Sequence, residues 1–198
     1  MARGKTTLVR DGPLAVEIGR AVMLNPDERT LDLLRRRGFT GYADAPVQPL
    51  CEAFVEAANS VVEELQERLF RGETVGVETV LSTRKYEESA DFVLRRRGFF
   101  WVIYVATASL EINIARVAQR VREGGHGVPA ATIASRWLRS LEVLPWFVTK
   151  ATHAWIFDNS DSTGGRPPSL IAEADDGRVQ IYEPSAIPVL TEALRPLV

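Results

Sequence analysis

Short apolar runs alternate along this chain with longer segments whose apolar residues recur every three or four positions. That alternation restricts the fold more than any other feature. The runs are "AVML" at 21–24, "TVGVETVL" at 74–81, "FFWVIYVA" at 99–106 and "HAWIFDNS" at 153–160. Each is short, bounded by polar or turn residues and suited to a buried strand. Between them the period changes to that of a helix. "RTLDLLRRRGF" is closed by Gly38, and "RKYEESADFVLRRRG" is stopped by Gly98. From Val47 through Arg71, Leu50, Phe54, Val55, Ala58, Val61, Val62, Leu65 and Leu69 share one face, with Gly72 ending the helix. "SLEINIARVAQRVREGG" has Ser109 as N-cap and Gly124 as terminator; Pro129 opens a helix to about Lys150, interrupted or kinked near Pro145.

Strands alternating with helices predict an α/β layered domain with a mainly parallel sheet and helices on both faces. The tail breaks the pattern. "SLIAEADDGRVQIYE" reads as a β-hairpin turning at Asp175-Asp176-Gly177, and "AIPVLTEALRPLV" as a closing helix. The whole of 1–198 is read as one domain, with a core over about 5–160 and the hairpin and helix over about 166–198.

Composition removes several function classes. The formal net charge is −2, so no polyanion such as nucleic acid is expected as partner. The longest apolar run is about half of the roughly 20 residues that span a bilayer, so no membrane association is expected and the cytoplasm is the expected compartment. Cys51 is the only cysteine, which excludes an internal disulfide and a thiolate–zinc cluster; its apolar, periodic setting predicts a packed thiol. The "RRRG" runs at helix ends are read as solvated cations at the negative pole of the helix dipole.

In a parallel sheet ligands bind beyond the carboxyl ends of the strands. Asn25 and Asp27, Glu78 and Thr79, and Asp158 and Asn159 occupy those positions. Asp27 serves as a base toward a hydroxyl, or else Asn25 or Asp27 simply caps the following helix. Glu78 interrupts a β-branched run; it either meets a metal or substrate hydroxyl or faces outward from an edge strand. Arg116 and Arg120, four apart on one helix face, lead with Arg122 into "EGGHGVP". Arginines beside a glycine hinge suit a lid over phosphates or, alternatively, an ordinary solvated helix end. His126 has no second histidine or cysteine nearby and is a poor metal ligand. His153 is expected to begin a strand in a structural role. At the start, Gly4-Lys5-Thr6-Thr7 has the order that closes a phosphate-binding loop, lysine for the β/γ oxygens and hydroxyl for magnesium. By itself "GKTT" is a weak motif.

Taken in order, "GKTTL", "VMLNPDE", "GVETVLST", "GFFWVIYVATASLEINIARVAQRVREGGHGVP" and "HAWIFDNS" resemble the zeta toxin family of P-loop kinases over roughly 5–160. The resemblance implies a three-layer P-loop kinase fold and ATP- and Mg²⁺-dependent phosphorylation of a small-molecule hydroxyl, in well-known members that of a UDP-activated amino sugar. It implies an antitoxin protein as a partner. Carried onto this chain, Lys5 with Gly4 and Thr7 would hold phosphates, Thr6 the magnesium, and Asp27 the hydroxyl proton. Glu78, Thr79 and Ser82 would face the substrate or magnesium. Arg120 with Arg116 would steady the transferring group. His126 would be a second basic lid residue, with Asp158 and Asn159 toward the nucleotide base.

The family places a hydrophobic strand and a glycine-rich turn before "GKTT", where this chain has Met1, Ala2 and Arg3. That strand would be central, so a break or weakly paired centre is expected in the sheet. The alternative function is accordingly a catalytically inactive remnant that acts as a binding or interaction module.

Overall fold

A computed structural model describes residues 18–161 and 166–198. The residues of "GKTT" lie outside the described part. Among the described residues the chain is a mixed α/β protein with six α-helices and two sheets.

The first half alternates short strands and helices: β1 (Val22–Leu24), α1 (Pro26–Arg36), α2 (Val47–Phe70), β2 (Val75–Val77) and α3 (Glu87–Arg95). Then come β3 (Trp101–Ala106), α4 (Leu110–Arg122), α5 (Ala130–Lys150) and β4 (His153–Asp158). The tail supplies β5 (Ser169–Asp175), β6 (Arg178–Ile181) and α6 (Pro188–Leu194), with a closing 3₁₀ turn at Arg195–Leu197.

α2 is a helix as its period predicts, but its buried face is shifted: of the residues expected on that face Val61 and Leu65 are buried, whereas Val55 is exposed. α2 buries Ala53, Ala57, Val61 and Leu65, a stripe advancing by four residues, while its other faces stay solvated. α1 starts three residues before "RTLDLL". Pro26 gives up an N–H that has no partner at the first helical position, and Asp27 and Glu28 suit the positive end of the helix. α5 runs on across Pro145 to Lys150 instead of being interrupted there. Its buried Leu141, Leu144, Phe147 and Val148 hold it in place, and their packing outweighs the hydrogen bond that proline removes. His153 does begin β4.

β1 pairs in parallel with β2, and β3 with β4. β5 joins β4 antiparallel, and β6 follows β5 across a two-residue turn in which Asp176 (φ +45°) and Gly177 (φ +78°) are both left-handed. This is the turn whose twist matches a hairpin. The sheet order is therefore β1-β2 in one sheet and β3-β4-β5-β6 in the other. Among the described residues no ladder joins β2 to β3. The two sheets nevertheless share one apolar core, which runs from Leu24, Val61 and Leu65 through Val102, Leu144 and Phe147 to Ile156, Ala172 and Leu190.

Two local expectations are corrected. The run at 74–81 is a strand only over Val75–Val77, because Leu81 adopts φ +55° and its N–H is taken by Thr79 Oγ1 at 3.1 Å, a turn that pulls the chain off the ladder. Cys51 is exposed, not packed, because α2's buried stripe passes through Ala53 and Ala57.

Candidate functional site at the carboxyl ends of the strands

β1 delivers Asn25 in an extended conformation (φ −125°, ψ 111°), one residue before α1. Its Oδ1 accepts from the N–H groups of Asp27 (2.9 Å) and Glu28 (3.4 Å), so Asn25, not Asp27, caps the helix. Its Nδ2 donates to Glu78 Oε2 at 3.1 Å. Glu78 follows the last residue of β2, and its N–H donates to Leu24 O at 2.9 Å. One amide side chain thus joins the start of α1 to the carboxylate beyond the neighbouring strand. Asp27, relieved of capping, lies exposed in the first turn of α1. Thr79 and Ser82 are half-buried on the irregular segment after Glu78.

The glycine-rich connection between α4 and α5 meets the same place. Arg120, half-buried near the end of α4, donates from Nη2 to His126 O at 3.4 Å. A Cβ at Gly125 would stand 2.6 Å from Arg120 Cγ, so the main chain can lie this close to the arginine only as glycine. Arg120 Nε is buried and has no protein acceptor. The His126 ring packs on Tyr42 (centroids 4.9 Å apart) and Phe54 (5.1 Å), and these two rings stack at 6.0 Å with an interplanar angle of 12°. The Tyr42 hydroxyl donates to the main-chain carbonyl of Asp27 at 2.6 Å.

The titration behaviour of this cluster follows from its surroundings. Burial, then the Asp27 carboxylate, pushes the Tyr42 phenol up to about 12. Burial is also the main reason the His126 imidazole lies below its ordinary range; Arg120 and Arg136 push the same way and Asp27 opposes them. Asp27, Arg120 and Arg136 therefore all act electrostatically on His126, although they come from α1, α4 and α5.

Arg116 goes elsewhere. Its Nη2 donates to the main-chain carbonyls of Asn159 (2.6 Å) and Asp161 (3.1 Å), beyond the end of β4. There Asp158 Oδ1 accepts from Ser160 N at 2.8 Å and from Ser160 Oγ, while Ser160 Oγ also accepts from Ala108 N at 2.7 Å. Asn159 N donates to Ala106 O at 2.9 Å. Arg116, Asp158 and Asn159 thus form a braced second group, and the helix that presents Arg116 and Arg120 sends them to different partners.

The residues named from the sequence form two groups: Asp27, Glu78, Arg120 and His126 with Asn25 between the strands, and Arg116 with Asp158 and Asn159. Gly4, Lys5, Thr6 and Thr7 lie outside the described residues. Tyr42 and Arg136 are not among the residues named from the sequence, and Phe54 is read from it only as part of the α2 face. Phe54 carries the helical period of a core position, and Tyr42 sits in a connection with no period at all. Among the described residues, no group of three or more His, Cys, Asp and Glu is arranged to hold a metal ion. No described helix is long and apolar enough to cross a membrane. Comparison of the chain with protein-family models, with curated proteins and with solved structures returned no match.

Proposed function

We propose that this chain is an ATP-dependent phosphotransferase of the zeta-toxin-like, P-loop kinase type, acting on a hydroxyl of a small molecule such as a nucleotide sugar. The observation that carries this reading is that Asp27, beyond β1, lies close enough to His126 of the glycine-rich connection to act on it together with Arg120 of α4, while Asn25 ties the start of α1 to Glu78 beyond the adjacent parallel strand. Carboxylates facing cations at that end of a sheet suit the transfer of a negatively charged group.

In this mechanism Asp27 accepts the proton of the acceptor hydroxyl as its oxygen bonds to the γ-phosphorus. The bond to the β-phosphate oxygen breaks, and ADP leaves. Arg120, whose buried Nε lacks a protein acceptor, donates to the oxygens of the transferring group, and Arg136 adds positive charge from α5. Glu78, Thr79 and Ser82 orient the acceptor. Lys5, with Gly4 and Thr7, holds the phosphates. Asp158 and Asn159 face the base, on a segment that Arg116 braces. Magnesium is usually held by one or two carboxylates together with substrate phosphates, and Glu78 and Thr6 suit that role; when bound it would neutralise phosphate charge. An antitoxin partner belongs to the same proposal.

The second reading is a catalytically inactive binding or interaction module. A transfer assay with Mg·ATP and a metabolite extract separates the two. The kinase reading expects Asp27→Asn to abolish transfer while nucleotide binding persists. Undiminished transfer in that variant removes Asp27 as the base, and absence of nucleotide binding in the parent removes the kinase reading.

A further inference from the structure

The connection that carries His126 has glycine at 124, 125 and 127, so its own backbone does little to fix its position. What fixes it is a seat built from α1, α2 and the segment between them. That segment is itself rigidly tied. The Asp44 carboxylate accepts from Thr40 N (2.8 Å), Thr40 Oγ1 (2.9 Å) and Gly41 N (2.9 Å). Arg37 binds Pro49 O at 3.0 Å and Glu56 at 2.6 Å. Tyr42 therefore stands on a closed turn, not on a free loop.

From that turn Tyr42 makes two different contacts. Its hydroxyl reaches the main chain of Asp27, and its ring, with that of Phe54, receives the imidazole of His126. His126 in turn offers its carbonyl to Arg120. The chain of contacts Asp27–Tyr42–His126–Arg120 links the two sides of the candidate site through one side chain, and the aromatic geometry supplies direction as well as apolar contact.

We propose that Tyr42 is a positioning residue that latches the α4–α5 connection onto the first turn of α1 and thereby sets Arg120 opposite Asp27. Its consequence for catalysis rests on the phosphotransferase reading above; the latch itself does not. Tyr42→Phe keeps the ring and loses the bond to Asp27 O. Tyr42→Ala loses both. Phe54→Leu keeps apolar volume at the seat and removes one aromatic partner.

The test is amide hydrogen exchange over 123–129 together with the His126 Cε1–H resonance of the full chain. In Tyr42→Ala, exchange over 123–129 should rise about tenfold or more while β4 keeps its protection, as expected when one segment opens locally. The His126 resonance should lose its ring-current displacement. Tyr42→Phe should restore most of the displacement, and Phe54→Leu should lose part of it. If activity is measurable, Tyr42→Ala should lower kcat far more than it raises KM for ATP. Unchanged exchange and an unmoved His126 resonance in folded Tyr42→Ala would overturn the latch. Should Tyr42→Ala not fold, an unmoved His126 resonance in Phe54→Leu overturns it equally. A protein without phosphotransfer activity whose 123–129 segment still responds to Tyr42 retains the latch and loses the kinase reading.

Discussion

Asn25 is the most informative single position, because both ends of its amide are used. Oδ1 caps α1, and Nδ2 holds the Glu78 carboxylate at 3.1 Å. Two substitutions separate the ends. Serine caps a helix about as well as asparagine but cannot reach Glu78, so Asn25→Ser should cost only the second bond. Hydrogen bonds to charged groups contribute about 1.5–3 kcal/mol. Both residues are part-exposed, so the expected loss is about 1 kcal/mol, with little dependence on pH. Aspartate also caps well, yet it places a second carboxylate against Glu78. Two unit charges about 4 Å apart repel by about 4 kcal/mol at an effective dielectric near 20 and by about 1 kcal/mol in water, so a penalty of about 2 kcal/mol is expected at half-buried groups. The repulsion exists only when both carboxylates are ionised. The deficit of Asn25→Asp should therefore be small near pH 4.5 and grow as pH rises toward 8, since the folded pair then holds its proton more tightly than the unfolded chain does. Urea unfolding of the parent and both variants at the two pH values measures this directly. Equal, pH-independent losses in the two variants would refute the reasoning, because the Asn25–Glu78 bond would then contribute nothing and the α1 cap everything.

The remaining predictions concern other links in the structure. At Gly177 a Cβ would stand 2.7 Å from the main-chain oxygen of Thr149 with φ at +78°, so Gly177→Ala should lower unfolding stability by about 2 kcal/mol, measured by urea titration. His126 lies below its ordinary range in the folded protein, so below about pH 6.5 the unfolded chain binds more protons. Stability should therefore fall as pH drops from that value, and His126→Gln should flatten the fall in thermal unfolding followed from pH 7.5 to 5.5. Arg116→Met keeps the alkyl stem but has no N–H to donate to Asn159 O and Asp161 O; exchange of the 158–161 amides should increase, and nucleotide affinity should weaken about tenfold under the proposed function.

Much of the local architecture is written in neighbouring residues. The apolar period from Leu50 to Leu69 makes α2 a helix, although the face it buries, Ala53, Ala57, Val61 and Leu65, is shifted from the one that period names. Asp176-Gly177 between alternating strands makes the β5–β6 turn, because both positions need φ above zero. These are effects of period and of backbone sterics, which act over a few residues. The chemical types at the strand ends were also legible, since Asp27, Glu78 and Asp158 interrupt or follow apolar runs. The sequence could not say which of them would meet. The Asn25–Glu78 bond joins residues 53 positions apart, and the Tyr42–His126 contact joins two connections that carry no periodic pattern. Likewise, periodicity drew β2 out to Leu81, whereas a turn at Thr79–Leu81 ends it at Val77. Arg116 and Arg120 share a helix face by spacing, yet one is drawn to the carbonyls beyond β4 and the other to His126. Helical spacing determines only a direction from the axis; the acceptor each guanidinium finds depends on which distant segment the folded core brings alongside.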